Sequence, residues 1–265
     1  MALSINGDLT SLSAEYYISM NSTEDKNITG SLSSLTSKLM GYFANDIKYI
    51  IEFGSYKRGT LLPRKFDEYS DVDLMIIFNH HKINVNPNTY RNYLIDFCDK
   101  YYTRSAVYKS HPTVVLELIK LKYDLVPAYQ TTSWSNEVKT YIPKSDTEWM
   151  VTDPHGFNKI LTDKNNTNRN SIKPLIRLMK VWNAKAGYPI ESFELEKEIV
   201  NTSFYFLSSL EDYFFSFISN MSRHRNTTTA STKVSALKEN AEKVKQALNN
   251  NNLTQAQTWL AHILL

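Results

Sequence analysis

The run Ser70-Asp71-Val72-Asp73-Leu74-Met75-Ile76-Ile77-Phe78 constrains this chain more than any other stretch, because polar and apolar residues alternate in it before it turns wholly apolar. Residues two apart on a strand point the same way, so Asp71 and Asp73 share one face while Val72, Leu74 and Ile76 share the opposite, buried one. Two anionic side chains held side by side repel unless something cationic stands between them. Paired carboxylate oxygens are what a hard divalent ion such as Mg²⁺ requires. Upstream, Phe53-Gly54-Ser55-Tyr56-Lys57-Arg58-Gly59-Thr60 supplies a Gly-Ser turn. Together the two blocks point to metal-assisted phosphoryl or nucleotidyl transfer.

A chain of 265 residues has room for one large domain or two small ones, either able to bury a sizeable core. Its 42% hydrophobic and 22% charged residues are ordinary for a globular protein. A net charge of +3 is too small to argue for nucleic-acid binding by itself. The single cysteine, Cys98, excludes an intramolecular disulfide framework and any Cys-based zinc module, which points to a reducing compartment. Met1 to Met20 lacks a basic segment followed by an apolar run, and no stretch is apolar for the ~18 residues a membrane helix needs. The expectation is a cytoplasmic enzyme or binding protein without membrane contact.

Residues 1–29 are polar and rich in Ser and Asn. A helix is expected over Ser31–Ile47, where Leu32, Leu35, Leu39 and Phe43 recur at spacings of three and four. Tyr49–Phe53 reads as a short apolar strand that stops at Gly54, Lys57–Tyr69 as a polar loop, and Asp71–Phe78 as the second strand. Asn86-Pro87-Asn88 marks a turn. A helix follows over Tyr90–Tyr102, with Tyr93, Leu94, Phe97 and Tyr101 on one side. Thr113–Leu118 is a β-branched strand, and Leu121–Val126 alternates cleanly until Pro127 ends it. In that alternation Leu121, Tyr123 and Leu125 face the core, and Lys122 and Asp124 face the other way. From Ile172 onward the periodicity predicts helices only, over Ile172–Ala186, Glu194–Phe217, Thr232–Ala247 and Thr254–Leu265. No internal repeat is evident. The class is α+β: an N-terminal helix and α/β core over 1–170, and a helical half over 171–265, divided at the polar stretch Asp163–Asn168.

Asp124 is a third carboxylate on a solvent- or cleft-facing strand surface. As a set, Asp71, Asp73 and Asp124 suit two Mg²⁺ ions, Asp71 and Asp73 bridging both and Asp124 completing the ion that holds the nucleophile. One ion then lowers the pKa of an attacking hydroxyl, and the other clamps a triphosphate. Gly54 lets the backbone approach a phosphate that a Cβ would block, and Ser55 supplies a hydroxyl donor. Each piece also has a bland reading: a solvated strand edge, an ordinary turn, a turn cap at Val126-Pro127. Their order, each at a strand end or on a strand face, favours catalysis. His80-His81 reads as a loop pair with no further ligand at metal spacing, and His111, His155, His224 and His262 are isolated. Arg223, Arg225, Lys233, Lys238, Lys243 and Lys245 make the C-terminal half basic without interleaved aromatics, which reads as a solvated helix face. The aromatic residues of Tyr205–Phe217 read as core.

With these blocks lined up, the chain resembles the DNA polymerase β-like nucleotidyltransferases. Within them it looks most like the bacterial CD-NTases, relatives of cyclic GMP-AMP synthase and oligoadenylate synthetase. The resemblance rests on Gly54-Ser55-Tyr56-Lys57-Arg58-Gly59-Thr60, on Ser70-Asp71-Val72-Asp73-Leu74 and on Tyr123-Asp124-Leu125-Val126-Pro127-Ala128, which are specific for the superfamily. The helix block Lys173-Pro174-Leu175-Ile176-Arg177-Leu178-Met179-Lys180-Val181-Trp182-Asn183 and the block Glu191-Ser192-Phe193-Glu194-Leu195-Glu196 favour the CD-NTase branch. The tail from Ala241 through Trp259 is similar too, so the resemblance runs from about Ser31 almost to the C-terminus.

The resemblance implies a polymerase β-like core, a mixed sheet with flanking helices, with the helical half completing the nucleotide cleft. It implies a synthase using Mg²⁺ or Mn²⁺, two ions, to join nucleoside triphosphates into a cyclic or linear oligonucleotide second messenger with release of pyrophosphate, in bacterial anti-phage signalling. Asp71, Asp73 and Asp124 match the family's metal-binding aspartates, and Gly54 and Ser55 its phosphate-contacting turn. Lys180 and Ser192 sit where the family places a lysine and a serine on the donor triphosphate, and Phe193 where an aromatic stacks on a nucleobase. The physics agrees, since an ammonium is a good point-charge phosphate ligand and a planar ring stacks on any base. A surface lysine at 180 and a core aromatic at 193 are the bland alternatives. The resemblance leaves room for a regulatory protein partner.

Two departures stand out. Fifteen residues, Tyr56 to Ser70, separate Ser55 from Asp71, more than many family members have. The segment Leu62-Pro63-Arg64-Lys65-Phe66-Asp67 would lie beside the triphosphate, with Arg64 or Lys65 touching a nucleotide, or else form an inert loop. The lone cysteine leaves no room for the Cys-rich zinc thumb with which the animal synthase grips DNA, so no DNA activator is expected. Two other functions stay open. One is transfer of a single nucleotide to an RNA end, a protein or a small molecule, as in minimal toxins, against which the long helical half argues. The other is a catalytically dead nucleotide sensor, against which retention of all three aspartates argues.

Overall fold

The computed structural model describes residues 3–79 and 86–265, so the His80-His81 pair lies outside the described residues. In chain order the elements are α1 (Asn6–Glu15), α2 (Thr23–Phe43), β1 (Ile47–Phe53), α3 (Gly54–Arg58), β2 (Val72–Phe78), α4 (Pro87–Tyr101), β3 (Ala106–Ser110), β4 (Thr113–Glu117) and β5 (Lys122–Thr132). They continue with β6 (Val138–Pro143), β7 (Trp149–Thr152), α5 (Gly156–Thr167), α6 (Ile172–Lys185), α7 (Ser192–Asn201), α8 (Leu210–Asn220), α9 (Thr228–Asn249) and α10 (Leu253–Leu264). The chain groups into two compact units, a sheet unit of residues 18–64 and 69–158 and a helical unit of residues 1–17, 65–68 and 159–265. No helix among the described residues is long and apolar enough to cross a membrane.

In the sheet unit the strand order is β1-β2-β5-β4-β3, with β6 continuing from β5 and β7 from β6. The sheet is mixed, because β2 and β5 run parallel while every other pair is antiparallel. One face is covered by two helices. α2 starts where the Ser22 hydroxyl accepts from the Asp25 N–H, and it buries Ile28, Leu32, Leu35, Leu39 and Phe43, one apolar stripe at helical spacing. α4 starts at Asn86, whose side chain caps the Thr89 N–H, with Pro87 in the first turn. The residues expected to mark a turn therefore open a helix; the same residue types suit both roles, and the apolar face behind them decides. That face is Tyr90, Leu94, Phe97 and Cys98, whereas Tyr93 and Tyr101 stay 40% and 39% exposed. Both helices pack on Val72, Leu74, Ile76, Leu116, Tyr123 and Leu125, the inward residues of β2, β4 and β5. Each fully buried side chain of this size contributes about 1.5–3 kcal/mol. On the opposite face Met75, Ile77 and Ala128 form a smaller cluster with Ile51, Phe53 and Ile142.

β5 runs past Pro127 to Thr132. Pro127 pairs with Ile76 of β2 alone, because the ladder to β4 ends at Leu125 and the ladder to β6 begins at Tyr129. The missing N–H thus falls where no second ladder needs it. β3 is mostly exposed, with Val107 packed on the core, and one inward residue makes no periodicity.

In the helical unit, α1 occupies part of the polar N-terminal stretch, burying Leu9. The stretch expected as a linker, 163–168, is the second half of α5 and its exit. Asn165 is buried there, donating to Asn170 Oδ1 at 2.9 Å and accepting the Lys173 N–H at 3.0 Å, so a polar sequence is held in place by its amide rather than left as a tether. α6 is buried nearly all round, and its polar residues have partners: Arg177 Nε donates to the Ser13 carbonyl at 3.0 Å, and Asn183 Nδ2 to the Ile190 carbonyl at 2.7 Å. Glu194–Phe217 is two helices, since α7 ends at Asn201 and α8 begins behind a Ser209–Asp212 capping box. Between them Tyr205 and Phe206 are 73% and 106% exposed, so they are not core.

This grouping differs from a division after residue 170, because α1 and the segment 65–68 join the helical unit. Tyr16 donates its hydroxyl to the Leu264 carbonyl at 2.9 Å, Phe66 packs edge-on against Tyr16 at 4.6 Å, and Tyr188 donates to Asp67 Oδ1 at 2.6 Å. Such long-range contacts leave no local pattern. In the basic C-terminal half, Arg225 forks onto Glu198 at 2.8 and 2.9 Å and Lys238 donates to the Ser219 carbonyl at 2.8 Å.

Candidate active site

Strand pairing brings the predicted carboxylates to one end of the sheet. Asp73 stands opposite Phe53 on β1 and level with Asp124 on β5, and in a parallel pair level residues share a face. That face is the one opposite α2 and α4, since the neighbours Val72, Leu74, Tyr123 and Leu125 all point into the helix-covered core. Asp71 immediately precedes β2.

Gly54 follows β1 with φ of +70°, and a Cβ built on it would lie 1.7 Å from Asp73 Oδ2 and 2.4 Å from Asp73 Cγ. The space that the glycine leaves open is filled by the Asp73 carboxylate. Ser55 is buried beside it, and its carbonyl accepts the N–H groups of Thr60 and Leu61 at 2.9 and 3.1 Å, closing the short helix α3.

Lys122 lies two residues before Asp124 and so on the same face of β5. Its Nζ donates to Asp71 Oδ2 at 3.2 Å and stands 4.0 Å from Asp124 Oδ1. The side chains of Asp71, Lys122 and Asp124 are only 30%, 16% and 19% exposed. Thr113 Oγ1 on β4 donates to the Ser110 carbonyl at 2.8 Å and lies 3.4 Å from Asp124 Oδ2, while the buried Asp124 Oδ1 has no hydrogen-bond partner. Burial, with the Asp71 charge adding to it, pushes the Asp124 carboxyl up to about 6, against the opposing pull of Lys122 and Thr113. Burial works against the Lys122 ammonium, but Asp71 and then Asp124 outweigh it and hold its pKa above the ordinary lysine value.

This arrangement suits a hard divalent cation. The donors are carboxylate oxygens, the ligands Mg²⁺ and Mn²⁺ prefer. A buried oxygen without a hydrogen-bond partner, and a carboxylate whose charged form is disfavoured by burial and by the neighbouring Asp71, are both features that a bound cation would relieve. As they stand, no three His, Cys, Asp or Glu side chains among the described residues converge on one point. The Lys122 ammonium stands between two of the carboxylates instead.

Of the other expected residues, Lys65, Lys180, Ser192 and Phe193 lie in the helical unit and Arg64 in the sheet unit. Lys180 on α6 is no surface lysine: its side chain is 6% exposed, and Nζ is 3.4 Å from Oε1 of Glu196 on α7, itself 1% exposed. Ser192 and Phe193 open α7 behind its N-cap Glu191, whose carboxylate accepts the N–H groups of Phe193 and Glu194 at 3.1 and 2.9 Å. Phe193 is no core aromatic either, being 38% exposed with Lys197 Nζ 5.0 Å from its ring centre. Arg64 faces Glu117 at 3.9 Å, and Lys65 pairs with Glu15 at 2.9 Å. Lys122 and Glu196 are not marked as functional by any motif. The alternation of β5 sets Lys122 on the face of Asp124, but its reach to Asp71, just ahead of β2, has no sequence signal.

Residues 3–165 match the family model of the Second Messenger Oligonucleotide or Dinucleotide Synthetase domain. A probable cyclic nucleotide synthase of Bacillus cereus strain VD146 is 26% identical over 187 residues, which are 58% of this chain and 55% of that protein, so the match spans about half of that relative's length. Among solved structures, CdnC of E. coli MS115-1 with ATP is similar at a TM-score of 0.69, over 98% of this chain and 97% of that one, with 14% identity. The CD-NTase CdnG of Bradyrhizobium diazoefficiens in complex with GTP is similar at 0.68, over 99% of both chains, with 10% identity. Identities that low show a shared fold. The family model covers more than half of the chain and includes Asp71, Asp73 and Asp124. This chain therefore belongs to the Second Messenger Oligonucleotide or Dinucleotide Synthetase family, the CD-NTase group of nucleotidyltransferases.

Proposed function

We propose that this protein is a metal-dependent synthase that joins nucleoside triphosphates into a cyclic or linear oligonucleotide messenger and releases pyrophosphate. The observation that carries this reading is the register that levels Asp73 with Asp124, beside Asp71, on the face away from the helices. Asp71, Asp73 and Asp124 would hold two ions of Mg²⁺ or Mn²⁺. Bound there, such ions activate an attacking hydroxyl and neutralise the charge that grows on the leaving pyrophosphate. Gly54 leaves the space that the Asp73 carboxylate fills, and Thr113 Oγ1 lies 3.4 Å from Asp124 Oδ2. By resemblance, Ser55, Lys180 and Ser192 serve the triphosphate and Phe193 stacks on a base, with Glu196 keeping the Lys180 ammonium in place. The nucleotides in the CdnC and CdnG structures, ATP and GTP, support nucleoside triphosphates as the substrate class. Nucleoside triphosphates as substrates support a cytoplasmic location, and the resemblance supports a role in anti-phage signalling with room for a regulatory protein partner.

The test is incubation with the four nucleoside triphosphates and Mg²⁺ or Mn²⁺, alone and with candidate partner proteins, followed by chromatography and mass spectrometry. A phosphatase-resistant oligonucleotide is expected, lost in Asp73→Asn. No consumption of any triphosphate under any of these conditions would sink the reading. Labelled nucleotide on tRNA or protein, with none in small oligonucleotides, would move the assignment to a modifying transferase.

A further inference from the structure

Lys122 is the feature of this site that a carboxylate metal centre does not itself require. Its place is built rather than incidental. The two-residue period of β5 sets it on the face of Asp124, and the parallel pairing of β2 with β5 brings Asp71 within 3.2 Å of its ammonium and Asp124 within 4.0 Å. The lysine side chain is only 16% exposed, so it forgoes most of its hydration to stand there. Asp71 and Asp124 are themselves largely shielded from water, which leaves their mutual repulsion weakly screened. The flexible four-carbon stem can withdraw without disturbing the strand, whereas the two carboxylates are fixed by theirs.

Resting on the reading of Asp71 and Asp124 as metal ligands, we propose that Lys122 is a built-in counter-cation. It occupies the gap between the two carboxylates in the metal-free protein, and an incoming divalent ion must displace it. Lys122 is thus a positioning residue that holds the metal-free site together and sets the concentration of metal at which the site loads.

The experiment measures Mn²⁺ binding to the metal-free full chain by electron paramagnetic resonance of the free ion, and thermal unfolding in EDTA and in saturating Mn²⁺. Lys122→Met keeps the stem and removes the charge. It is expected to bind Mn²⁺ about tenfold more tightly than wild type, the change one charged hydrogen bond makes. It is also expected to melt below wild type in EDTA, with the gap closing in saturating Mn²⁺. Lys122→Arg keeps the charge and grips carboxylates with two N–H groups, so its Mn²⁺ affinity should equal or fall below that of wild type. Unchanged or weaker Mn²⁺ binding in Lys122→Met, or tighter binding in Lys122→Arg, overturns the role of Lys122 while leaving the metal centre standing. If neither wild type nor Lys122→Met binds Mn²⁺, the metal reading itself falls and takes the inference with it.

Discussion

Gly54→Ala tests how the site is assembled, because one methyl group acts on both the backbone and a carboxylate. The residue sits at φ of +70°, where an L side chain costs about 1–2 kcal/mol. The added Cβ would lie 1.7 Å from Asp73 Oδ2, whereas ordinary contact begins near 3.4 Å, so oxygen and methyl must separate by about 1.7 Å. Overpacking of that kind costs a further ~1–3 kcal/mol. The expected loss of stability is about 2–5 kcal/mol, or roughly 5–15 °C in melting temperature for a chain of this size. A misplacement of about 1 Å in a catalytic group costs on the order of 10²-fold in rate, so pyrophosphate release should fall at least that far. Gly30→Ala is the control. Gly30 lies inside α2, where an added methyl would meet nothing within 4 Å, and alanine there should stabilise by about 1 kcal/mol without touching activity. Differential scanning fluorimetry and a pyrophosphate-release assay on both variants decide the matter. Gly54→Ala with wild-type melting and wild-type turnover would refute the argument that the glycine exists to seat Asp73.

Three further outcomes follow from the same geometry. Asp124 has a folded pKa of about 6, above the ~3.9 of an unfolded aspartate, so the folded metal-free protein holds this proton more tightly than the unfolded chain. Its stabilising contribution is complete below about pH 4 and is lost by about pH 6, a fall of roughly 2–3 kcal/mol that urea titrations in EDTA should find in wild type and miss in Asp124→Asn. Glu196→Ala removes the carboxylate 3.4 Å from the buried Lys180 ammonium and should cost about 1.5–3 kcal/mol in urea unfolding, as for a hydrogen bond to a charged group; a cost below about 0.5 kcal/mol would show the pair to be unimportant. Burial, aided by Asp99, pushes the Cys98 thiol up to about 12, so a thiol reagent at pH 8 should label it only as fast as the sheet unit opens.

Much of the molecule is local in origin and could be read from the chain. The leucine stripe of α2 at spacings of three and four, the alternation through Asp71–Leu74, and the inward Tyr123 and Leu125 are properties of short windows. Where local signals were ambiguous, tertiary contacts chose. Asn86-Pro87 opens α4 because an apolar face stands ready behind it, and 163–167 ends α5 with Asn165 anchored by Asn170 and Lys173. Pro127 sits inside β5 because its neighbours on the β4 and β6 side leave its missing N–H unneeded.

The site divides along the same line. The residue types and spacing of Asp71, Asp73 and Asp124, and the glycine ahead of them, were present in the sequence, since chemistry and two-residue periodicity are both local. Three things had to wait for the fold: that Asp73 and Asp124 stand level, that the Asp73 carboxylate fills the space over Gly54, and that Lys122 spans the gap from β5 to Asp71. Each depends on which strands become neighbours and in what register. That choice is made by burying the whole α2–α4 face at once, and no short stretch of sequence contains it.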